Sequence, residues 1–371
     1  MREQLSLSDI QYGPFLPFLR KKDVTDIDYN GRELWIRDIH NIRHKVTDEQ
    51  IRQHLNEEFI QSFATNVANL VGKNLTPTDN VIEAETEELR ITVIHESVAS
   101  TGTCICIRKT PPVQRITPKK ALEEHYCEEK VLHLLANCVK AKLNMVFCGE
   151  PGVGKTECAK FLTAFIPPEQ KVITVEDTKE VHYREINPEK DCVELKVNEY
   201  FSYNDAMTEV LRMTPNRVML SEARSTEVKQ LVECWTTGIT GFTTLHTDDV
   251  RKIPDRILNM MPSRQDAERL ENDVYVGMDV GVLLETRSSG EEGKQERYIS
   301  QIGFFSREDG KNRCVLAVQG GQLIEQQELK FLPEDIKRKM DKAGITDAFY
   351  CEQLQKMLEE EGMVYEKNVD D

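Results

Sequence analysis

The sequence predicts an α/β protein in which a domain with a mainly parallel sheet follows a smaller α/β module. Three observations predict this. From about Glu129 onward, short apolar runs alternate with amphipathic ones, the rhythm of strands feeding helices that pack back onto a sheet. Before that point, an Asn-Gly pair separates two strand-like runs, and a helical repeat follows them. Between these regions lies KTPPVQRITPKK, where three prolines discourage any regular element. The expected divisions are an N-terminal α/β domain over residues 1–110, a linker over 111–128, the parallel-sheet domain over 129–330 and a helical region over 331–371.

In the first module, Ile27 to Tyr29 and Leu34 to Ile36 read as strands around the Asn30-Gly31 turn, because that pair readily adopts the positive φ of a tight hairpin. Thr47 and Gln50 have capping-box spacing, and Ile51, Leu55, Phe59, Phe63 and Val67 recur every four residues until Gly72. One long amphipathic helix is expected there. Leu89, Ile91 and Val93, then Ile105 and Ile107, alternate with polar residues and read as two strands, each carrying an arginine, Arg90 and Arg108, on its other face. Beyond the linker, strands are read at Met145–Cys148, Val172–Val175 and Val218–Leu220, and helices over 156–165, 204–213 and 225–237. Asn204 and Ser225 are the expected caps of the last two helices, and Pro215 and Gly238 close them. The tail from Leu332 reads as charged helix, and no motif assigns it a role.

Composition excludes several classes. A chain of 371 residues, 39% of them hydrophobic, can bury more than one core and is not a disordered scaffold. It has no run of about 18 apolar residues and no apolar stretch at its start, so a cytosolic protein is expected. The ten cysteines are scattered, with Cys104-x-Cys106 the nearest pair and no C-x-x-C, which argues against a zinc ribbon or a disulfide framework. A formal charge of −16 argues against a broad duplex-binding surface. The short basic runs Arg20-Lys21-Lys22 and Lys119-Lys120 read as solvated faces.

The chemistry concentrates after Met145. Gly149-Glu150-Pro151-Gly152-Val153-Gly154-Lys155-Thr156 fits G-x-x-x-x-G-K-[ST], with an apolar strand before it and a helix after it. Glycines let successive backbone N–H groups turn toward phosphate oxygens, and the helix N-terminus adds partial positive charge. Lys155 is expected on the β and γ phosphates and Thr156 on Mg²⁺. TVEDTKEV brings Glu176, Asp177 and Glu180 to the end of the next strand. LSEARSTE brings Glu222, Arg224 and Glu227 to another, and GFTTLHT brings Thr243, Thr244 and His246 to a third. In a parallel sheet, strand ends beside a phosphate loop are where acids meet Mg²⁺ and attacking water.

The order of these segments resembles the Walker A, Asp box, atypical Walker B and His box of the type II/type IV secretion ATPases, with a leaning toward the CpaF-like and conjugation-type branch. VTDIDYNGRELWIRD, ELRITVI and GTCICIRK are similar to the hairpin and arginine-bearing strands of that family's N-terminal domain, so the likeness spans roughly residues 24–305. The resemblance implies a RecA-like P-loop domain that binds ATP and Mg²⁺, with Thr156 and Glu222 serving the metal. Glu222 would polarise the attacking water, with Glu176, Asp177 and Glu180 supporting it. His246 would sense the γ-phosphate, and Arg90 and Arg108 would neutralise charge from the N-terminal domain. Arg212 and Arg217 match positions near Walker B, either as functional groups or as structural ion pairs. Where the family commonly has Gly-Glu, this chain has Ser221-Glu222.

The resemblance further implies a homo-oligomer, a hexameric ring, at the cytoplasmic face of a membrane. Its partners would be the inner-membrane platform proteins of a secretion, conjugation or pilus system, and nucleic acid is not expected as a direct ligand. Two other classes use the same loop. A RecA-type nucleic-acid motor is disfavoured by the acidic balance and by an aromatic content of 7%. A hydrolysis-deficient, nucleotide-gated adaptor is suggested by Ser221 and opposed by the presence of Glu176, Glu222 and His246.

Overall fold

The computed structural model describes residues 7–224, 227–261, 267–290, 295–324 and 332–363. Its contacts divide the chain into two units, a first that ends at Pro112 and also takes in Ser288–Gln295, and a second made of Val113–Arg287 and Glu296–Asp371.

The first unit is an antiparallel sheet backed by helix. Its strands are β1 (Val24–Tyr29), β2 (Leu34–Asp38), β3 (Arg43–Lys45), β4 (Val81–Glu85), β5 (Leu89–Ile94) and β6 (Cys104–Lys109), in the order β3-β2-β1-β6-β5-β4. The Asn30-Gly31 turn joins β1 to β2 as expected, and glycine is required there. Gly31 has φ 90°, and a Cβ on it would meet Thr101 O at 2.6 Å. Ile27, Ile91, Val93, Ile105 and Ile107 form the buried face of the sheet and pack with Phe63 and Val67 of helix Glu57–Leu70.

That helix corrects the expectation of one long helix to Gly72. The chain breaks at Leu55, between helices Glu49–His54 and Glu57–Leu70. Asn56 wins the competition with the helical repeat because its side chain accepts the Phe59 N–H at 2.9 Å, and Glu57 and Glu58 then fill the first turn, where negative charge is favoured. Asp48, not Thr47, caps the first helix, accepting from Gln50 and Ile51 N–H.

The second unit holds a nine-stranded sheet. Its strands are β7 (Met145–Cys148), β8 (Val172–Glu176), β9 (Cys192–Lys196), β10 (Arg217–Leu220), β11 (Thr240–Leu245), β12 (Val280–Ser288), β13 (Gln295–Glu308), β14 (Lys311–Gln319) and β15 (Gln322–Leu323). They run in the order β15-β14-β13-β12-β7-β11-β10-β8-β9. From β12 to β9 every pairing is parallel, whereas β13-β14-β15 is antiparallel, so the sheet is mixed. The central strands are buried on both faces, which explains why they read as unbroken apolar runs such as MVFC. Helices Glu129–Lys140 and Lys155–Leu162 cover one face, and helices Tyr203–Arg212, Glu227–Thr236 and Ile253–Met260 cover the other.

Two local expectations shift and one is not tested. Ser202, not Asn204, caps helix Tyr203–Arg212, through a reciprocal pair with Asp205. Ser225, expected as a cap, lies outside the described residues. Helix Pro118–Glu123 interrupts the expected linker, with Thr117 as its cap. The tail is helical as read, in Glu334–Lys342 and Glu352–Glu360, and Ile336, Met340, Leu354 and Leu358 share the core of helix Glu129–Lys140. Asn137 Nδ2 donates to the carbonyls of Asp347, Ala348 and Tyr350, and Glu361 accepts the Lys119 N–H at 2.7 Å. These bonds tie the tail to helices Pro118–Glu123 and Glu129–Lys140. Among the described residues, no helix is long and apolar enough to cross a membrane.

Candidate nucleotide site

Four loops leave the C-terminal ends of adjacent parallel strands, in the spatial order β7, β11, β10, β8. They carry, respectively, the phosphate-loop motif, His246, Glu222 and Asp177. Parallel pairing brings residues far apart in the chain to one edge, as open α/β sheets do at their binding crevices.

The loop itself has the backbone its glycines permit. Gly149, Gly152 and Gly154 have φ of 139°, 83° and 95°, and a Cβ at Gly149 would meet Leu284 O at 2.3 Å. Only glycine fits that cradle. Glu150, Pro151 and Gly152 form the exposed rim, while Val153 is buried beneath them. Lys155 opens helix Lys155–Leu162, and its ammonium donates to Gly149 O and Glu150 O, each at 3.0 Å, and to His246 Nδ1 at 3.2 Å. Burial pulls the Lys155 pKa down, and the charge of Glu222 opposes that pull.

From Lys155 the contacts run on without a break. His246 Nε2 lies 3.1 Å from Glu222 Oε1. His246 Nδ1 lies 3.2 Å both from the Lys155 ammonium, which only donates, and from the Gly149 carbonyl, which only accepts, so the ring can turn its Nδ1 to either with or without a proton there. Arg224 then bridges two loops, donating to Glu222 Oε2 at 2.8 Å and Asp177 Oδ2 at 2.7 Å. Those bonds, the Glu222 bond first, hold the Arg224 guanidinium above its ordinary pKa. The Tyr203 hydroxyl accepts the Asp177 N–H at 3.1 Å, and burial pushes that phenol up to about 12.

The acids of the TVEDTKEV segment separate by role. Thr156 Oγ1 donates to Glu180 Oε2 at 3.4 Å, which places an acid beside the hydroxyl expected on Mg²⁺. Glu176 does not reach the loop's open side. It is 3% exposed, and its carboxylate accepts the Glu180 and Val181 N–H at 3.2 and 3.1 Å, bracing the turn that carries Glu180. Burial pushes its pKa up to about 8.

Among the described residues no cluster of three His, Cys, Asp or Glu side chains could hold a metal alone. The donors near Thr156 are hard oxygens, the set that Mg²⁺ shares with phosphate and water. The residues therefore fit a metal that arrives with a nucleotide.

Arg90 and Arg108 lie in the first unit, opposite one another in the β5–β6 register and on the face away from Ile91 and Ile107. Arg90 pairs with Glu83 at 3.5 Å and Arg108 with Asp26 at 2.9 Å. Arg212 is exposed and pairs with Glu209, while Arg217 is fully buried and bonds Gln170 Oε1 and Val139 O. Arg217 is thus a structural group without being an ion pair. Two residues outside the expected site set approach it. Arg224 carried a signal, standing two residues beyond Glu222. Arg297, on β13, carried none, and its Cδ would lie 3.5 Å from a Cβ on Gly154.

Comparison with known proteins shows which family and fold the chain resembles. A family model described as type II/IV secretion system protein matches residues 30–292. An uncharacterized protein of Bacillus anthracis is 27% identical over 299 residues, covering 78% of this chain and 66% of its own length. A candidate conjugal transfer protein of Mycobacterium tuberculosis is 24% identical over 313 residues, covering 81% of this chain and 86% of its own. The X-ray structure of the Yersinia pseudotuberculosis ATPase DotB shares the fold, with a TM-score of 0.56 at 14% identity over 98% of this chain and 93% of that one.

Proposed function

We propose that this chain, which belongs to the type II/IV secretion system protein family, is a Mg²⁺-dependent ATPase motor that powers secretion, conjugative transfer or pilus assembly. The observation that carries the reading is the continuous bonding from Lys155 through His246, Glu222 and Arg224 to Asp177, which joins four strand ends around one phosphate loop. Such a network gives the γ-phosphate somewhere to report to. A bound triphosphate would replace the internal acceptors of Lys155 with phosphate oxygens, leaving His246 to exchange partners between the loop and Glu222.

Mg²⁺, held through Thr156 with Glu222 nearby, would offset phosphate charge in the transition state. Glu222 would orient an attacking water, with Asp177 and Glu180 supporting it and Glu176 bracing their loop. Arg90 and Arg108 enter the proposal as charge-neutralising groups that would first have to leave Glu83 and Asp26. A homo-oligomeric, hexameric ring at the cytoplasmic face of a membrane, docked on inner-membrane platform proteins, completes the reading, with nucleic acid not a direct ligand.

Phosphate release and binding of a fluorescent ATP analogue test it together. Lys155→Ala should cut turnover at least about 100-fold and weaken binding, whereas Glu222→Gln should cut turnover equally and still bind ATP. Hydrolysis unchanged in either variant would remove the assignment.

A further inference from the structure

The phosphate loop has two flanks, because β7 stands between β11 and β12. On the β11 flank the Lys155 ammonium meets His246, with Glu222 beyond it, and on the nucleotide-site reading that side takes the terminal phosphate. A triphosphate laid along the loop from that end carries its α-phosphate and ribose out over the other flank. There the loop is bounded by β12, whose Leu284 carbonyl lies against Gly149, and by a residue of the strand beyond it, Arg297 of β13.

Arg297 reaches the loop's last glycine. A Cβ built on Gly154 would lie 3.5 Å from its Cδ and 3.9 Å from its Nε. These are ordinary contact distances, so the arginine stem and the start of its guanidinium lie against the residue that precedes Lys155. The strand that carries it is fixed at the same place, where the Ile299 N–H donates to Tyr126 O at 2.8 Å. Tyr126 is buried, which holds its phenol well above its ordinary pKa, and the nearby charge of Arg297 works against that rise. The Cys158 thiol, one turn into helix Lys155–Leu162, acts on the same phenol. The guanidinium is therefore held beside Gly154, Tyr126 and the first turn of the phosphate-loop helix. A cation beside Lys155 at the positive end of a helix is unfavourable until an anion joins them.

We propose that Arg297 is a nucleotide-binding residue, its guanidinium closing on the α-phosphate at the β13 flank of the loop. The inference rests on the nucleotide-site reading given above and deepens it, dividing the triphosphate between Lys155 at one end and Arg297 at the other. A guanidinium presents two parallel donors to a phosphate, and such charge-assisted bonds are among the stronger ones a protein makes. Because the α-phosphate does not react, the contact is made in ground state and transition state alike, and it acts on binding more than on the chemical step.

Calorimetric titration of the full chain with ADP and with a nonhydrolysable ATP analogue tests it, beside steady-state phosphate release. Arg297→Ala should weaken both ligands by the same factor, about tenfold, and raise KM for ATP to match, with kcat changed less than about twofold. Arg297→Lys, which keeps the charge and loses the fork, should recover part of the affinity. A sulfur in place of one α-phosphate oxygen should cost the unsubstituted chain affinity and cost Arg297→Ala almost none. Tm of the nucleotide-free chain should fall in neither variant. Binding of ADP and of the analogue unchanged in both variants would overturn the proposal. So would a loss confined to the analogue, or a fall in kcat at unchanged KM, either of which would put Arg297 at the terminal phosphate. Equal sensitivity to the sulfur with and without Arg297 would make it a support of the loop and not a contact, and would also overturn the proposal. The two readings fail separately. A chain that binds ADP in an Arg297-dependent way yet releases no phosphate would sink the motor and keep the contact. Lys155-dependent hydrolysis indifferent to Arg297 would do the reverse.

Discussion

The two ends of the same parallel strands use similar residues in opposite ways. At the C-terminal ends, Lys155, His246, Glu222, Arg224 and Asp177 bond to one another, and Arg224 and His246 are exposed enough to exchange partners. At the N-terminal ends, Arg217 is sealed against Gln170 and a carbonyl. Asn144 spans the strands by donating to Gly277 O at 2.5 Å and accepting the Gly241 N–H at 2.9 Å, while Asp279 accepts from Asn144 N–H at 2.8 Å and pairs with Lys339 at 2.5 Å. Bonds between mobile charges can be redistributed when a ligand brings new charge. The bonds of Arg217 and Asn144 to backbone, at the end of the sheet away from the phosphate loop, have no substitute and act as rivets. Residue type therefore says less about role here than the end of the sheet on which a residue stands.

The largest test of that contrast is Arg224→Ala. It removes the bridge between Glu222 and Asp177, and kcat should fall about 100-fold, close to 2.7 kcal/mol of barrier, with Tm nearly unchanged because the pair is half exposed. A large drop in Tm would make Arg224 a rivet instead. Asn144→Ala should do the opposite. It leaves a buried Gly241 N–H without its acceptor, costing roughly 1–3 kcal/mol of stability by denaturant titration, with kcat per folded molecule preserved.

Glu176 sharpens the comparison because it is a buried acid at the functional end. Its ordinary value of 4.5 is pushed up to about 8 by burial. The folded chain thus keeps a proton that the unfolded chain gives up across that window, so the group's contribution is full below about pH 4.5 and is lost as pH rises through about 8. Tm should fall between about pH 5 and about pH 8 and level off above, and Glu176→Gln, which retains the oxygen that braces Glu180 and Val181, should flatten the fall. An unchanged slope would show that Glu176 titrates as an ordinary surface acid. The smallest effect belongs to Arg212→Ala. That exposed pair with Glu209 should leave both Tm and kcat within error.

Much of this contrast was legible before any coordinates, and the missing part has a common cause. The phosphate loop, the strands before it and the acids at Asp177, Glu180 and Glu222 were readable because each is a local pattern with its own punctuation. The break at Asn56 was missed because a four-residue apolar repeat continued across a capping residue. Glu176 and Asp177 are neighbours in the chain, yet one is sealed and the other paired with Arg224, a difference set by alternation along β8 and the turn after it. Arg297 and the tail's bonds to Asn137 had no local signal at all.

By itself, the amino-acid order determined which segments can bend around a phosphate, which can lie in a doubly covered sheet, and which acids end a strand. These are properties of φ, hydrophobic period and turn chemistry within a few residues. Only the tertiary structure decided that β7, β11, β10 and β8 stand side by side, that His246 mediates between Lys155 and Glu222, and that Arg217 holds the floor instead of the site. Strand order and burial are set by how whole faces pack, and packing couples residues that no short window of sequence contains.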